Sequence, residues 1–402
     1  MTTTRLAPLP APEGLRPALS GAAERSPAGD GFVLPDSRRG LMLGAGGRAA
    51  VIGALAVVAV LVPVLNLVVP AGSVLHFGDY GVALVAKIMC YAICALAMDL
   101  IWGYTGILSL GHGLYFALGG YAMGMYLMRQ IGRDGNYRSE LPDFMVFLDW
   151  KTLPWHWAGS ASFAFQMLLV LAVPGLVAGV FGWFAFRSRI KGVYFSIITQ
   201  ALTFAAMLLF FRNETGFGGN NGFTDFKRIA GVPLALPSTR MVLFVLTGAT
   251  LVGCWLLARA IVNSKYGRVL QAIRDAESRV MFTGYDPLRY KLSIWVLSAV
   301  MCGVAGALYV PQVGIINPSE MSPAASIEMA IWAAVGGRGT LVGPILGAFF
   351  VNGAKSWFTQ AFPEFWLYFL GALFIAVTLF LPRGIMGLKD RLAKDKRAEA
   401  KP

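Results

Sequence analysis

Charged residues are scarce in this chain. Asp, Glu, Lys and Arg make up 14% of its 402 residues, where soluble domains carry about 25%. That deficit excludes an ordinary water-soluble globule. Cysteine is sparse too: Cys90, Cys94, Cys254 and Cys302 are the four, and each lies inside an apolar stretch. They do not form a disulfide framework. Cys90 and Cys94 share a helix face, but no His or carboxylate stands at ligand spacing, so they read as packing residues and not as a metal pair. Catalytic motifs are also missing. There is no G-x-x-x-x-G-K-[ST] phosphate loop, no H-E-x-x-H and no G-x-S-x-G. The Gly-rich run 216–222 fails G-x-G-x-x-G at Asn221 and follows no strand. The chain is therefore not expected to be an enzyme, to hydrolyse ATP or to hold a cofactor.

What is abundant is apolar surface. Hydrophobic residues reach 56% and the mean hydropathy is +0.63. Apolar blocks cover 49–69, 81–102, 106–128, 166–187, 193–211, 241–262, 292–310, 327–353 and 365–381. Each is near the roughly 20 residues that a membrane helix needs. The block 327–353 is broken at Gly336-Gly337-Arg338-Gly339. We read it as two half-length helices, 327–335 and 341–353, either short crossings or a re-entrant hairpin. The expected fold class is an all-α, polytopic integral membrane protein with about ten membrane segments and broken or re-entrant helices. Residues 1–48, rich in Ala, Pro, Gly, Ser and Arg, read as a disordered N-terminal tail. A transmembrane domain over 49–382 follows, containing a loop at 263–291, then a basic tail over 383–402.

The net charge of +13 raises nucleic acid as a partner, but the charge sits in the tails and short loops, which is a topology signal. The N-tail, 187–191, 263–291 and the C-tail hold 22 Lys and Arg. The loops 129–165 and 212–240, with Lys355, hold 9. Both termini are thus expected in the cytoplasm, and an even number of crossings requires the broken block to count as two.

Three segments stand out for function. The first is Gly103-Tyr104-Thr105-Gly106-Ile107-Leu108-Ser109-Leu110-Gly111-His112-Gly113. Four glycines in these eleven residues are poor helix chemistry. Thr105, Ser109 and His112 add hydrogen-bonding groups, and Asp99 upstream is costly at membrane depth. Close helix packing and the lining of a path are both open readings. The second is Gly336–Pro344, another glycine-interrupted segment of the kind that marks transport sites. Its Arg338 belongs either to the path or to a membrane surface. The third is a short amphipathic helix over 266–284, with Val269, Ile273, Ala276 and Val280 on one stripe and Arg268, Arg274 and Arg279 between them. Such a helix lies on the membrane or docks in a partner's groove.

These segments, with Lys191-Gly192-Val193-Tyr194-Phe195-Ser196-Ile197-Ile198-Thr199, resemble the permeases of branched-chain amino acid and urea ABC transporters over most of 81–390. The resemblance implies a bacterial inner-membrane importer. It implies a homologous second permease, two ATP-binding subunits that use ATP and Mg²⁺, and a periplasmic or extracellular solute-binding protein, alongside membrane lipid. It favours docking of the 266–284 helix on an ATPase subunit. The long loop with Asp134-Gly135-Asn136-Tyr137 and Phe147-Leu148-Asp149-Trp150, and the run Asn213–Thr224, look most like the urea-type subunit. A path for urea or a short amide needs neutral hydrogen-bonding groups. Ser109, His112, Thr105, Ser196, Thr199 and Gln200, with Asp99 and Arg338, are the candidates. A branched-chain amino acid permease is the alternative, and it should show charged groups for a zwitterion if the permease itself selects. A passive channel or ion-coupled carrier, with Asp99 and His112 as a proton relay, is the reading from another class.

Overall fold

A computed structural model describes residues 53, 57, 58, 60–70, 73, 76–380 and 384–387. The expected N-terminal tail, nearly all of the basic C-terminal tail and much of the 49–69 block lie outside the described residues, although 60–67 is helical. Ten principal helices follow. They are α1 (Asp79–Thr105), α2 (His112–Ile131), α3 (Phe163–Arg187), α4 (Val193–Phe210), α5 (Pro237–Asn263), α6 (Lys265–Phe282), α7 (Pro287–Val313), α8 (Pro323–Gly336), α9 (Gly343–Ala361) and α10 (Trp366–Phe380).

Local chemistry sets several of their ends. Pro occupies the first turn of α5, α7, α8 and α9, where a missing N–H costs nothing. Ser162, Ser264, Asp286 and Ser322 cap α3, α6, α7 and α8 by accepting from backbone N–H groups inside the first turn. Gly106 ends α1 in the left-handed conformation, its N–H returning to the Trp102 carbonyl.

Five helices are long and apolar enough to cross a membrane: α1, α3, α4, α5 and α7. They differ in what surrounds them. In α1 and α7, 67% of the spanning window is buried inside the protein, against 22% in α3 and 28% in α4. So α1 and α7 form the centre, and α3 and α4 present apolar sides outward. Helix α7 packs on α1, α2 and α3. Its Trp295 is fully buried, donates to the Ala178 carbonyl of α3 at 3.0 Å, and meets His112 and Tyr115 of α2 edge-on. Helix α2 is buried along nearly its whole length, so it needs less hydropathy than a lipid-facing helix.

The broken block is a helical hairpin, with two differences from expectation. The break spans 337–342 instead of 336–339, and both arms run longer than expected, α8 beginning at Pro323 and α9 ending at Ala361. At about 1.5 Å per residue, the 14 residues of α8 reach about 21 Å, short of a bilayer core, while the 19 of α9 reach about 28 Å. The 106–128 block also begins later than expected, because 106–111 is unwound and α2 starts at His112. The described residues are not wholly helical. Strand β1 (Phe223–Thr224) pairs antiparallel with β4 (Ile315–Ile316), and β2 (Arg228–Ile229) with β3 (Val232–Pro233). These short ladders gather the connecting loops at the Asp79 end of α1.

Candidate functional site

Residues 106–111 have no helix to satisfy their backbone, and buried amides must find partners elsewhere. The polar residues around them do this. Ser196 Oγ donates to the Leu108 carbonyl at 2.8 Å, and Leu110 N–H donates to Thr199 Oγ1 at 3.1 Å. Ser109 Oγ accepts from Gly111 N–H at 3.2 Å and lies 3.0 Å from His112 Nδ1. His112 Nε2 lies 2.8 Å from Ser298 Oγ on α7, and Gly113 N–H donates to Ser326 Oγ on α8 at 3.1 Å. Ser109, His112, Ser298 and Ser326 are fully buried. The structure thus brings Ser109, His112, Ser196 and Thr199 together as braces of an unwound segment. Thr105 bonds back to Ile101 in its own helix, and Gln200 is half-buried on the next turn of α4. Ser298 and Ser326 escape sequence reading, because a single serine in an apolar helix gives no signal of its partner.

A second cluster lies at the same C-terminal end of α1, one to two turns back from the braced segment. Asp99, fully buried, accepts from Gly339 N–H at 2.6 Å and from Leu341 N–H at 3.1 Å. Tyr104 donates to the Gly339 carbonyl at 2.8 Å. Leu341 holds φ of 62°, a conformation that β-carbon crowding disfavours, so Asp99 anchors a strained turn. Gly103 lets the two backbones touch: a Cβ there would lie 2.7 Å from the Gly339 nitrogen. Arg338 is exposed, its guanidinium 4.5 Å from the Trp102 ring centroid. The two glycine-rich segments singled out in sequence therefore form one clasp.

Helix α6 sits on that clasp, because Arg274 donates to the Gly103 carbonyl. Its orientation corrects the docking stripe expected from sequence. Ile273 and Val280 are buried, along with Gly267 and Leu270, against the chain's own helices. Ala276 has φ of −158° and ψ of 74°, so the stripe through Val269, Ile273, Ala276 and Val280 is broken by a kink. The physical reason is that α6 must first satisfy its own bundle, packing on α1, α5 and α7. The exposed face carries Arg268, Ala272, Asp275, Ser278, Arg279 and Phe282, the last 91% exposed. Beyond the kink, Glu277 pairs with Lys191 at 2.7 Å and with Lys291 of α7. Burial alone would raise the Glu277 carboxyl, but the two lysines outweigh it and hold it below its ordinary value.

Residues 81–378 match the family model described as branched-chain amino acid transport system, permease component. The chain belongs to that family. Among its relatives is the high-affinity branched-chain amino acid permease protein LivM of Salmonella typhimurium, 24% identical over 336 residues, covering 78% of this chain and 71% of LivM. Pseudomonas aeruginosa BraD, of the same description, is 23% identical over 320 residues, covering 74% of this chain and 91% of BraD. The autoinducer 2 import permease LsrC of Enterobacter sp. is 27% identical over 243 residues, 58% of this chain and 66% of LsrC. No solved structure matches the chain. This permease is thus a polytopic helical subunit of an ABC-type import system of the inner membrane.

The permease has one more polar cluster, which sequence reading missed. On the face shared by α1, α7, α8 and α9 lie Lys87, Glu320, Glu328 and Lys355. Lys355 pairs with both oxygens of Glu328 at 2.8 and 2.9 Å, and Tyr309 donates to Glu320 at 3.1 Å. In sequence these four are isolated charges spread over 87–355, and only the fold collects them.

Proposed function

We propose that this permease subunit passes branched-chain amino acids through the membrane, driven by ATP-binding subunits in trans. The observation that carries it is the clasp. A broken-helix hairpin, which membrane proteins tolerate only where it is buried or lines a cavity, is held to α1 by Asp99 and Tyr104. The same junction bears on α6 through Arg274. A push on α6 from an ATPase subunit therefore reaches the hairpin directly, which is what alternating access requires. The ATPase-facing surface is the outward side of α6, with Arg268, Arg279 and Phe282. The remaining partners are a homologous second permease and a solute-binding protein, with both termini of this chain in the cytoplasm.

The branched-chain reading is favoured over urea by two supports. LivM and BraD carry that substrate in their names. The neutral groups that a urea path would use are occupied, since Ser109, His112, Ser196 and Thr199 brace the 106–113 backbone. The test is uptake of labelled leucine and labelled urea by the complete complex in proteoliposomes, with its binding protein and ATP. ATP-dependent leucine uptake supports the reading. Urea uptake without leucine uptake overturns it, and uptake of either without ATP points to a channel or ion-coupled carrier.

A further inference from the structure

The Lys87 cluster lies apart from both the clasp and the braced segment. Lys87 stands on the third turn of α1, about 12 Å along the helix from Asp79 at about 1.5 Å per residue. Ionisable groups at such depth face a protein interior or a water-filled path, and mark solute routes. The four charges are not equivalent. Glu328 and Lys355 satisfy each other. Lys87 forms no ion pair with a described carboxylate. Its ammonium instead lies 5.7 Å from the Tyr91 ring centroid and 6.0 Å from that of Tyr309. Glu320 is oriented by the hydroxyl of Tyr309, the same residue whose ring lies beside Lys87. Beside both is an aromatic wall: Tyr91 stacks on Trp332 at 4.8 Å and on Tyr309 at 5.8 Å. The Trp332 ring is buried, and its Nε1–H has no partner among the described residues.

We infer that Lys87 and Glu320 form a waystation for an α-amino acid zwitterion on its way through the permease. The Lys87 ammonium receives the α-carboxylate and the Glu320 carboxylate receives the α-ammonium. The stacked rings of Tyr91 and Tyr309 offer one wall to the aliphatic side chain, which an apolar aromatic surface accepts without regard to its branching. The chemistry suits a ligand carrying both charges on one carbon beside an apolar group. A neutral amide hydrogen-bonds to these ions but forms no ion pair with either. The inference rests on the amino-acid reading above and deepens it by naming the groups that meet the substrate.

The test uses the full complex in proteoliposomes with Lys87→Met, Glu320→Gln and the conservative Lys87→Arg. Labelled leucine uptake, basal ATP hydrolysis and subunit co-elution are read together. The expected result is a loss of about tenfold or more in leucine uptake for Lys87→Met and Glu320→Gln, as removal of one charge contact predicts. Assembly and basal hydrolysis stay within about twofold of wild type, and Lys87→Arg retains most uptake. Leucine uptake unchanged in both neutral variants overturns the waystation. So does dissociation of the complex in Lys87→Met, which would make Lys87 a contact with the second permease. A wild-type complex that moves no leucine sinks the amino-acid reading itself and this inference with it, and the wild-type control separates that case from the others.

Discussion

Asp99 holds two backbone N–H groups that belong to no helix. Its partner lies 240 residues away in the chain, so composition shows only that a carboxylate at this depth is costly and not what it is for. The same holds for His112, whose Ser109 neighbour is visible in the sequence while Ser298, 186 residues on, is not. An Asp99→Asn variant keeps the shape but turns one acceptor into a donor facing an N–H. Leaving one of these amides unsatisfied costs roughly 1–3 kcal/mol. The detergent-purified permease should therefore melt at a lower temperature, and hydrogen exchange should quicken at 337–342. Ser298→Ala should act in the same direction by about 1 kcal/mol, with the faster exchange confined to 106–113. An unaltered exchange pattern in Ser298→Ala would show that His112 does not depend on α7.

At the scale of elements, helix existence was legible and helix facing was not. The apolar blocks located the spanning helices because burial in lipid or protein demands a continuous apolar run. The glycine runs marked both breaks to within a few residues; these lie at 106–111 and 337–342 instead of 103–105 and 336–339. For α6 the periodicity gave a helix with an apolar stripe, but an apolar stripe is equally suited to a partner's groove and to the chain's own bundle. The bundle takes it. Ile273→Asp is therefore expected to destabilise the permease itself, because a buried unpaired carboxylate costs several kcal/mol. Phe282→Asp, on the outward face, should leave the permease monodisperse and release the ATPase subunits, read by co-purification. Retained ATPase with Phe282→Asp would remove the outward face from the docking surface. Glu277 adds a pH signature. Its folded carboxyl lies below the ordinary value of 4.5, so its two lysine pairs contribute stability throughout the range above that value. The contribution is lost only as pH falls through the lowered folded value. Glu277→Gln should therefore loosen 277–282 at neutral pH, seen as faster limited proteolysis there, and the wild type should show the same loosening only in strong acid.

Across the whole molecule, the fold class was readable from composition, since a chain with this little charge has few places to be other than a membrane. The meeting of distant charges at Lys87 and Glu320, and the central place of α7, needed the packed structure. So did the cap at the Asp79 end of α1, where loops that looked merely polar and aromatic in sequence build a small ordered layer. Phe217 stacks on Phe210 at 3.8 Å and on His156 at 5.6 Å, and Trp157 donates to the Gly216 carbonyl at 3.0 Å. Burial in this layer disfavours the charged imidazole and lowers the His156 value below its ordinary 6.5, the nearby Thr215 backbone opposing in part. The sign follows from linkage. Above about pH 6.5 neither the closed nor the opened cap binds the proton, and the cap keeps its full stability. As pH falls below that value the opened form takes up the proton first, so closure weakens until the lowered folded value is reached. Hydrogen-exchange protection factors at 154–157 and 216–223 should accordingly fall between pH 7.5 and 5.5 in the wild type. In His156→Gln they should be nearly independent of pH over the same range, while those of α1 and α7 change in neither protein. An equal pH response in the wild type and His156→Gln would assign the effect to another group.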